Sequence, residues 1–414
     1  MKGIVSGGSQ QTVDAGAEML RRGGNAVDAA VAATFASFVA EAAISAPGGG
    51  GFALISGPDH EPRVYDFFCT MPGLGRDGPI PPDMDFAAVP VTFEGGIVEY
   101  FHAGRGSTAV PGNIAGLAQL LEDAGSLPLA VVLQPAIKLA RDGFPLTKGQ
   151  AYLIRIIGRE ILCYTPQSAA IFAPQGDLLG EGDHFANPAL AKTLERIAVE
   201  GWESLYAGSL AELLLDEHRV HGGLITAEDL NDYRVVRREP LRFSYRDFTI
   251  LTNPPPSLGG MLIAYALRLL EHVDLTEHIY GDWNHMTVLA EIMRSALIAR
   301  HRDQPQRFQR PQEWAAWLAS QQMDVDLADF ARAVASGPPD TSPDLPDGPS
   351  STTHISVVDE SGLAVGITTT PGETAGYTVG STGLLMNNIL GEADLNPDGF
   401  HQWPPGMRLS SMMA

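Results

Sequence analysis

Residues 337–350, Gly-Pro-Pro-Asp-Thr-Ser-Pro-Asp-Leu-Pro-Asp-Gly-Pro-Ser, divide this chain more sharply than any other stretch. Proline fixes φ and has no N–H to donate, so five prolines in fourteen positions forbid a helix or an inner strand. The stretch has one large apolar side chain, Leu345, too little to anchor a core. A fold must therefore be built from what lies on either side of a linker. Directly beyond it the pattern turns β-rich. Residues 354–358 and 363–369 flank Asp359-Glu360-Ser361-Gly362 and read as a hairpin. A turn centred near 360–361 pairs positions whose numbers sum to about 721–722, which sets Thr370 roughly across from Thr352.

Upstream, no apolar run reaches the ~18–20 residues of a membrane span. The nearest, 26–43, is rich in Ala and Val but interrupted by Asp28 and Glu41, and reads as a helix buried on most sides. A helix over 9–22 precedes it, stopped at Gly23-Gly24, with Asn25 capping the next. A tight Pro47-Gly48-Gly49-Gly50-Gly51 loop leads to strands over 52–56 and 63–67. Apolar spacing predicts helices over 114–124, 127–142 and 188–200. Thr226 with Asp229 marks a capping box, 241–252 a strand pair, and 254–260 a stiff turn into a helix over 261–270.

Composition removes several functions. Lys and Arg number 27 against 49 Asp and Glu, a net charge of −22, unlike a nucleic-acid surface. Two cysteines exclude a disulfide framework or a Cys-rich zinc site. No histidine pair has H-x-x-x-H spacing; His218 and His221, beside Asp216 and Glu217, read as a solvated helix end, and neither metal nor cofactor is expected. The glycines at 48–51 lack the Gly-Lys-Ser/Thr of a phosphate loop, and Cys69 reads as a buried small hydrophobe. No apolar signal region follows Met1. That suggests the cytoplasm if Met1 is genuine, and the periplasm or secretion if a segment precedes it.

Two threonines facing each other behind a linker suit self-cleavage. The Thr352 hydroxyl can attack the Ser351 carbonyl, move the chain onto an ester, and free a new N-terminus on hydrolysis. The released α-amine, with an ordinary pKa of ~7.7–8, is then a base beside its own Oγ. From spacing alone, a strand of β-branched residues, where Thr is simply common, is the favoured explanation of these threonines.

More is present. Thr352-Thr353-His354-Ile355-Ser356-Val357-Val358-Asp359, with Gly362 and Thr368-Thr369-Thr370, closely resembles the γ-glutamyltranspeptidase family. In family order come Gly23-Gly24-Asn25-Ala26-Val27-Asp28-Ala29-Ala30-Val31-Ala32, the 48–52 loop, Val110-Pro111-Gly112 with Gly116-Leu117, and Pro135-Ala136-Ile137 with Ala140-Arg141-Asp142-Gly143-Phe144. Asp229-Leu230, 254–260 and Asn387-Asn388 complete the series. The resemblance implies an α+β fold, the four-layer αββα sandwich of N-terminal nucleophile hydrolases. Residues 1–351 would form the large-subunit region, 337–351 the processing linker, and 352–414 the start of the small subunit. It implies a self-processing hydrolase and acyltransferase that cleaves γ-glutamyl amides such as glutathione through an acyl-Thr352 intermediate, without a cofactor. Its partners would be the small acyl-amide substrate and the two subunits of one precursor. By the same resemblance Ser351–Thr352 is the bond cleaved, Thr352 the nucleophile and Thr370 its orienting partner. Ser410 and Ser411 would bind the substrate carboxylate, and Glu392 its α-amine.

Three positions depart from the pattern. Phe68 stands where the family has its substrate Arg, Gly372 where it has an Asn, and Ile389 where it has a Gln. Phe cannot make the bidentate fork of an Arg, so the carboxylate clamp is largely missing unless Arg63, Arg105 or Arg408 replaces it. The family pattern also continues past the serine pair to a glycine pair that forms the oxyanion hole. Here 414 − 351 = 63 residues follow Ser351, which suggests C-terminal truncation. Two alternatives follow: an amidase or acylase for a non-glutamyl group, as in the related cephalosporin acylases, or a non-catalytic member acting as a binding scaffold.

Overall fold

The computed structural model describes residues 2–92, 96, 98–308, 310–336 and 352–414; the expected linker at 337–350 and Ser351 lie outside them. The chain forms two compact units, Met1–Arg238 with Pro349–Leu409, and Glu239–Gly348 with Ser410–Ala414.

The first unit is organised by one six-stranded antiparallel sheet. Its strands are β1 (Gly3–Ser6), β2 (Gly50–Gly57), β3 (His60–Asp66), β4 (Val236–Arg238), β5 (Thr353–Asp359) and β6 (Ala364–Thr370), in the order β1-β5-β6-β2-β3-β4. Strands from opposite ends of the sequence thus lie side by side. Helices α1 (Gln10–Arg21) and α2 (Ala26–Ala40) cover one face. Every residue of α2 is buried, and its alanines let it lie close against β5 and β6. On that face β5 buries Thr353, Ile355 and Val357, whereas His354, Ser356 and Val358 are exposed with Ile4 of β1 on the other. A helix layer and one large sheet of the sandwich are therefore present among the described residues, where the remaining sheets are two-stranded.

Local chemistry explains the ends of these elements. Ser9 caps α1, and Gly23 takes φ +90° just after its end. Asn25 caps α2 in a full capping box: its side chain accepts from Val27 and Asp28 N–H, and Asp28 accepts from Asn25 N–H. Asp28 is also the buried acceptor for Ser126 N–H and Oγ–H and for Leu127 N–H. Three expectations are corrected. Helix α2 stops at Ala40 instead of 43. The helix expected over 127–142 is two, Leu129–Val132 and Gln134–Asp142, parted at Leu133 just before Pro135, which has no N–H for a continuous ladder. Strand β1 was not expected at all.

The second unit is a hairpin, Leu241–Tyr245 with Phe248–Thr252, and helices that include Gly259–Leu270, Trp283–Asp303 and Gln321–Ser336. Tyr265, Leu269, Val288, Ile292, Met323 and Phe330 form its core. Inside it, Arg302 joins Asp303 and Asp326, and Tyr265 donates to Asp326 at 2.8 Å.

Candidate active site

The β5–β6 hairpin fixes the site. Thr353 pairs with Thr369 and His354 with Thr368, so one further step sets Thr352 against Thr370. The turn is held by Asp359, whose carboxylate accepts from Ser361 N–H (2.9 Å) and Oγ–H (2.5 Å). The same carboxylate accepts Ala26 N–H at 2.9 Å, which fastens the hairpin to the positive end of α2. Burial pushes Asp359 up, but these bonds outweigh it and hold the carboxyl below its usual value.

Behind Thr352, the Thr353 hydroxyl donates to Glu41 at 2.5 Å, and Thr12 donates to the other Glu41 oxygen at 2.5 Å. Thr352 is half-buried and borders a cavity of about 670 Å³ shared with Ser6, Gln10, Glu41, Gln150 and His354. His354 bonds Thr368 Oγ1 (2.8 Å) and Ser356 Oγ (2.9 Å), and burial lowers its pKa.

On the other side, β6 lies against the glycine loop, with Thr370 opposite Gly50. A Cβ on Gly49 would fall 2.3 Å from Thr370 O, so the loop needs glycine to let the two backbones meet. Asn387 ties the loop in place by donating to Gly48 O (2.7 Å) and Ala109 O (2.9 Å). Thr369 Oγ1 donates to Asn113 Oδ1 at 2.8 Å. Thr370 Oγ1 accepts Gly372 N–H at 3.0 Å, which starts a sharp turn in which Gly372 has φ +69°.

That turn brings in Glu392. A Cβ on Gly372 would fall 1.7 Å from Glu392 Oε1 and 2.2 Å from Asn388 Oδ1, so an Asn at 372 and this placement of Glu392 exclude each other. Glu392 Oε1 is buried, although part of the residue reaches the surface. It hydrogen-bonds Glu373, 4% exposed, whose N–H donates to Asn388 Oδ1 at 3.0 Å. Burial raises both carboxyls, and the nearby Asp394 adds to it; Glu373 is held up to about 7. Glu392 is thus one half of a buried carboxyl pair. Glu373, Glu41 and Asp359 carry roles here that the sequence did not signal.

The arginines weighed as substitutes for the missing clamp are elsewhere engaged or exposed. Arg63 is exposed on β3. Arg105 binds Asp85 (3.1 Å) and Glu217 (2.5 Å) and lies over Tyr377. Arg408 pairs with Asp66 at 3.3 Å, donates to Phe68 O, Tyr233 Oη and Arg234 O, and lies 5.0 Å over the Tyr233 ring. Phe68 is fully buried and stacked on Phe52 with centroids 5.8 Å apart. Cys69 is buried and its thiol pushed well up by burial, unsuited to a thiolate nucleophile. His218 is not at a solvated helix end. It is 1% exposed, 3.0 Å from Tyr377 Oη, and burial lowers its pKa to about 3.

Thr352, Thr370 and Glu392 all lie in the first unit; Ser410 and Ser411 belong to the second. There both serines are buried. Ser410 donates to Pro256 O at 2.7 Å, and Ser411 Oγ lies 3.5 Å from Ser257 Oγ.

Comparison with known proteins shows the family and the fold. The sequence model described as Gamma-glutamyltranspeptidase matches residues 12–414. The glutathione hydrolase proenzyme of Escherichia coli K12 is 33% identical over 400 residues, 96% of this chain and 67% of that protein. The Acylase ACY 1 proenzyme of Pseudomonas sp. V22 is 35% identical, over 97% of this chain and 71% of its own length. The crystal structure of Helicobacter pylori gamma-glutamyltranspeptidase superposes with a TM-score of 0.63 at 32% identity, covering 81% of this chain and 92% of that one. The fold is that of the N-terminal nucleophile hydrolases.

Proposed function

Because this chain belongs to the gamma-glutamyltranspeptidase family, we propose that it is a self-processing threonine hydrolase and acyltransferase acting on γ-glutamyl amides such as glutathione. The observation that supports this is the hairpin register, with Thr353 opposite Thr369, which continued by one step brings Thr352 towards Thr370 at the open end of β5 and β6. Cleavage before Thr352 would give a large and a small subunit, in keeping with relatives named as proenzymes. The freed Thr352 amine then takes the proton of its own Oγ as that oxygen attacks the substrate amide carbon. Thr370 orients the nucleophile, and the donor amine meets Glu392. The amine half of the substrate leaves with a proton. Water or an acceptor amine then takes the acyl group from the Thr352 ester.

Intact-mass analysis and a denaturing gel test the first step. Two chains meeting at Ser351/Thr352, and a single uncleaved chain in Thr352→Ala, are expected. A wild-type chain that stays whole and inactive would refute the nucleophile assignment. Release of p-nitroaniline from γ-glutamyl-p-nitroanilide then reports donor turnover. A second reading, an acylase for another side chain, is favoured by Phe68 in place of the substrate Arg and by the acylase relative.

A further inference from the structure

Helix Trp283–Asp303 is apolar on two sides, and only one of them is covered among the described residues. Its inner side buries Val288, Ile292 and Ala299 in the core of the second unit, with Tyr265, Leu269, Met323 and Phe330. On the outer side Trp283 is 72% exposed, Met286 52% and Met293 67%. Ala290 is exposed and Leu297 half-buried. Positions 283, 286, 290, 293 and 297 stand alternately three and four apart. That spacing is the seam of a helix packed lengthwise against another helix. Tyr280, 92% exposed, stands just ahead of the helix, and the exposed Leu289 borders the seam. Together these side chains present roughly 700 Å² of surface, more than the largest apolar patch of a typical monomer and close to one partner's share of a standard interface.

The seam is self-complementary. Laid antiparallel on a second copy about a two-fold axis at Ala290, it pairs positions whose numbers sum to about 580. Trp283 then meets the second copy's Leu297, Met286 meets Met293, and Ala290 meets Ala290. Each contact is repeated by the symmetry, and the smallest side chain falls where the two backbones come closest. The ends match in charge as well. Asp282, which caps the helix by accepting His285 N–H at 2.7 Å, comes beside the second copy's Arg300 and His301. The positive start of one helix lies at the negative end of the other. An anionic lipid surface fits less well. The chain carries a net charge of −22, and Arg294 and Arg302 on this helix are paired with Glu291, Asp303 and Asp326.

We propose that this face is a dimer interface, in which two copies of the chain join through an antiparallel pair of the helices Trp283–Asp303. The helix belongs to the second unit and Thr352 to the first, so the inference stands apart from the acyl-Thr352 reading.

Sedimentation velocity of the purified chain, from about 1 to about 100 μM, tests it. The sedimenting mass should rise from one chain to two within that range. Met293→Glu should weaken the association about 100-fold or more, because a carboxylate would be sealed in an apolar seam. Its circular dichroism should match wild type, since Met293 lies outside the core. Cysteine cross-linking tests the arrangement, with wild type, which has only Cys69 and Cys163, as background. Mild oxidation of Trp283→Cys mixed with Leu297→Cys should give a cross-linked pair. Trp283→Cys alone should not, because the two-fold sets those positions roughly 21 Å apart along the helices. A chain that stays single at about 100 μM, a dimer indifferent to Met293→Glu, or a Trp283→Cys disulfide with its own copy would overturn the inference. Binding to phosphatidylcholine vesicles that Met293→Glu abolishes, without self-association, would assign the face to lipid and overturn it equally.

Discussion

Asp359→Ala should destabilise the first unit by about 2–4 kcal/mol, and the figure can be worked from its bonds. The carboxylate is 4% exposed and accepts three close hydrogen bonds, from Ala26 N–H, Ser361 N–H and Ser361 Oγ–H, with Leu363 N–H more distant at 3.3 Å. Loss of an acceptor at the start of a helix costs typically ~1 kcal/mol. Ala26 N–H is buried and would be stranded, adding about 1–3 kcal/mol. Ser361 is exposed, so water replaces most of what it loses. The assay is urea unfolding followed by circular dichroism, with the midpoint shift read at unchanged slope. The sign of the pH dependence is a second check. A carboxyl held below its usual value contributes fully above the unfolded value of ~3.9 and loses that contribution as pH falls through the lower folded value. The gap between wild type and Asp359→Ala should therefore be constant at neutral pH and close in acid. A loss under about 1 kcal/mol, or a gap that widens in acid, would refute the view that one carboxylate fastens hairpin to helix.

Three further outcomes are expected. Glu373→Gln should be more stable than wild type near pH 8, with the advantage fading towards pH 4. A carboxyl held up to about 7 by burial, with Glu392, Asp394 and Glu99 around it, opposes folding once pH rises past the unfolded value of ~4.3; thermal melts across pH read this directly. Glu41→Ala strands the hydroxyls of Thr12 and Thr353, should cost about 2–4 kcal/mol, and should slow self-cleavage on a gel time course more than Glu41→Gln does. Arg408→Lys cannot reproduce the fork to Phe68 O, Tyr233 Oη and Asp66, and should lower the urea midpoint by the equivalent of about 3 kcal/mol.

Much of the site was legible because it is local. Asn25 and Asp28 form the capping box their spacing announces, and Thr226 with Asp229 forms another. The hairpin register follows from the position of Asp359-Glu360-Ser361-Gly362, since antiparallel pairing leaves no freedom once the turn is placed. The substitutions at 68 and 372 could be seen, but not what the second makes room for. Asn-to-Gly at 372 reads as a lost contact; in the structure it is the space that Glu392 fills.

Strand β1 went unseen for a different reason. Gly3–Ser6 is short, and its ladder partner is Ser356–Asp359, more than three hundred residues away. His218 was misjudged because its neighbours in sequence are charged, whereas its neighbours in space are Tyr377 and the buried Arg105. The sequence by itself determined many of the elements and caps, the register of the hairpin around Asp359-Glu360-Ser361-Gly362, and the family. Those depend on interactions within a few residues or on motifs read whole. Tertiary structure alone decided that Glu373 faces Glu392, that Arg105 and Arg408 are engaged, and that Glu41 stands behind Thr353. Burial and charge pairing arise between segments that meet only when the chain is folded.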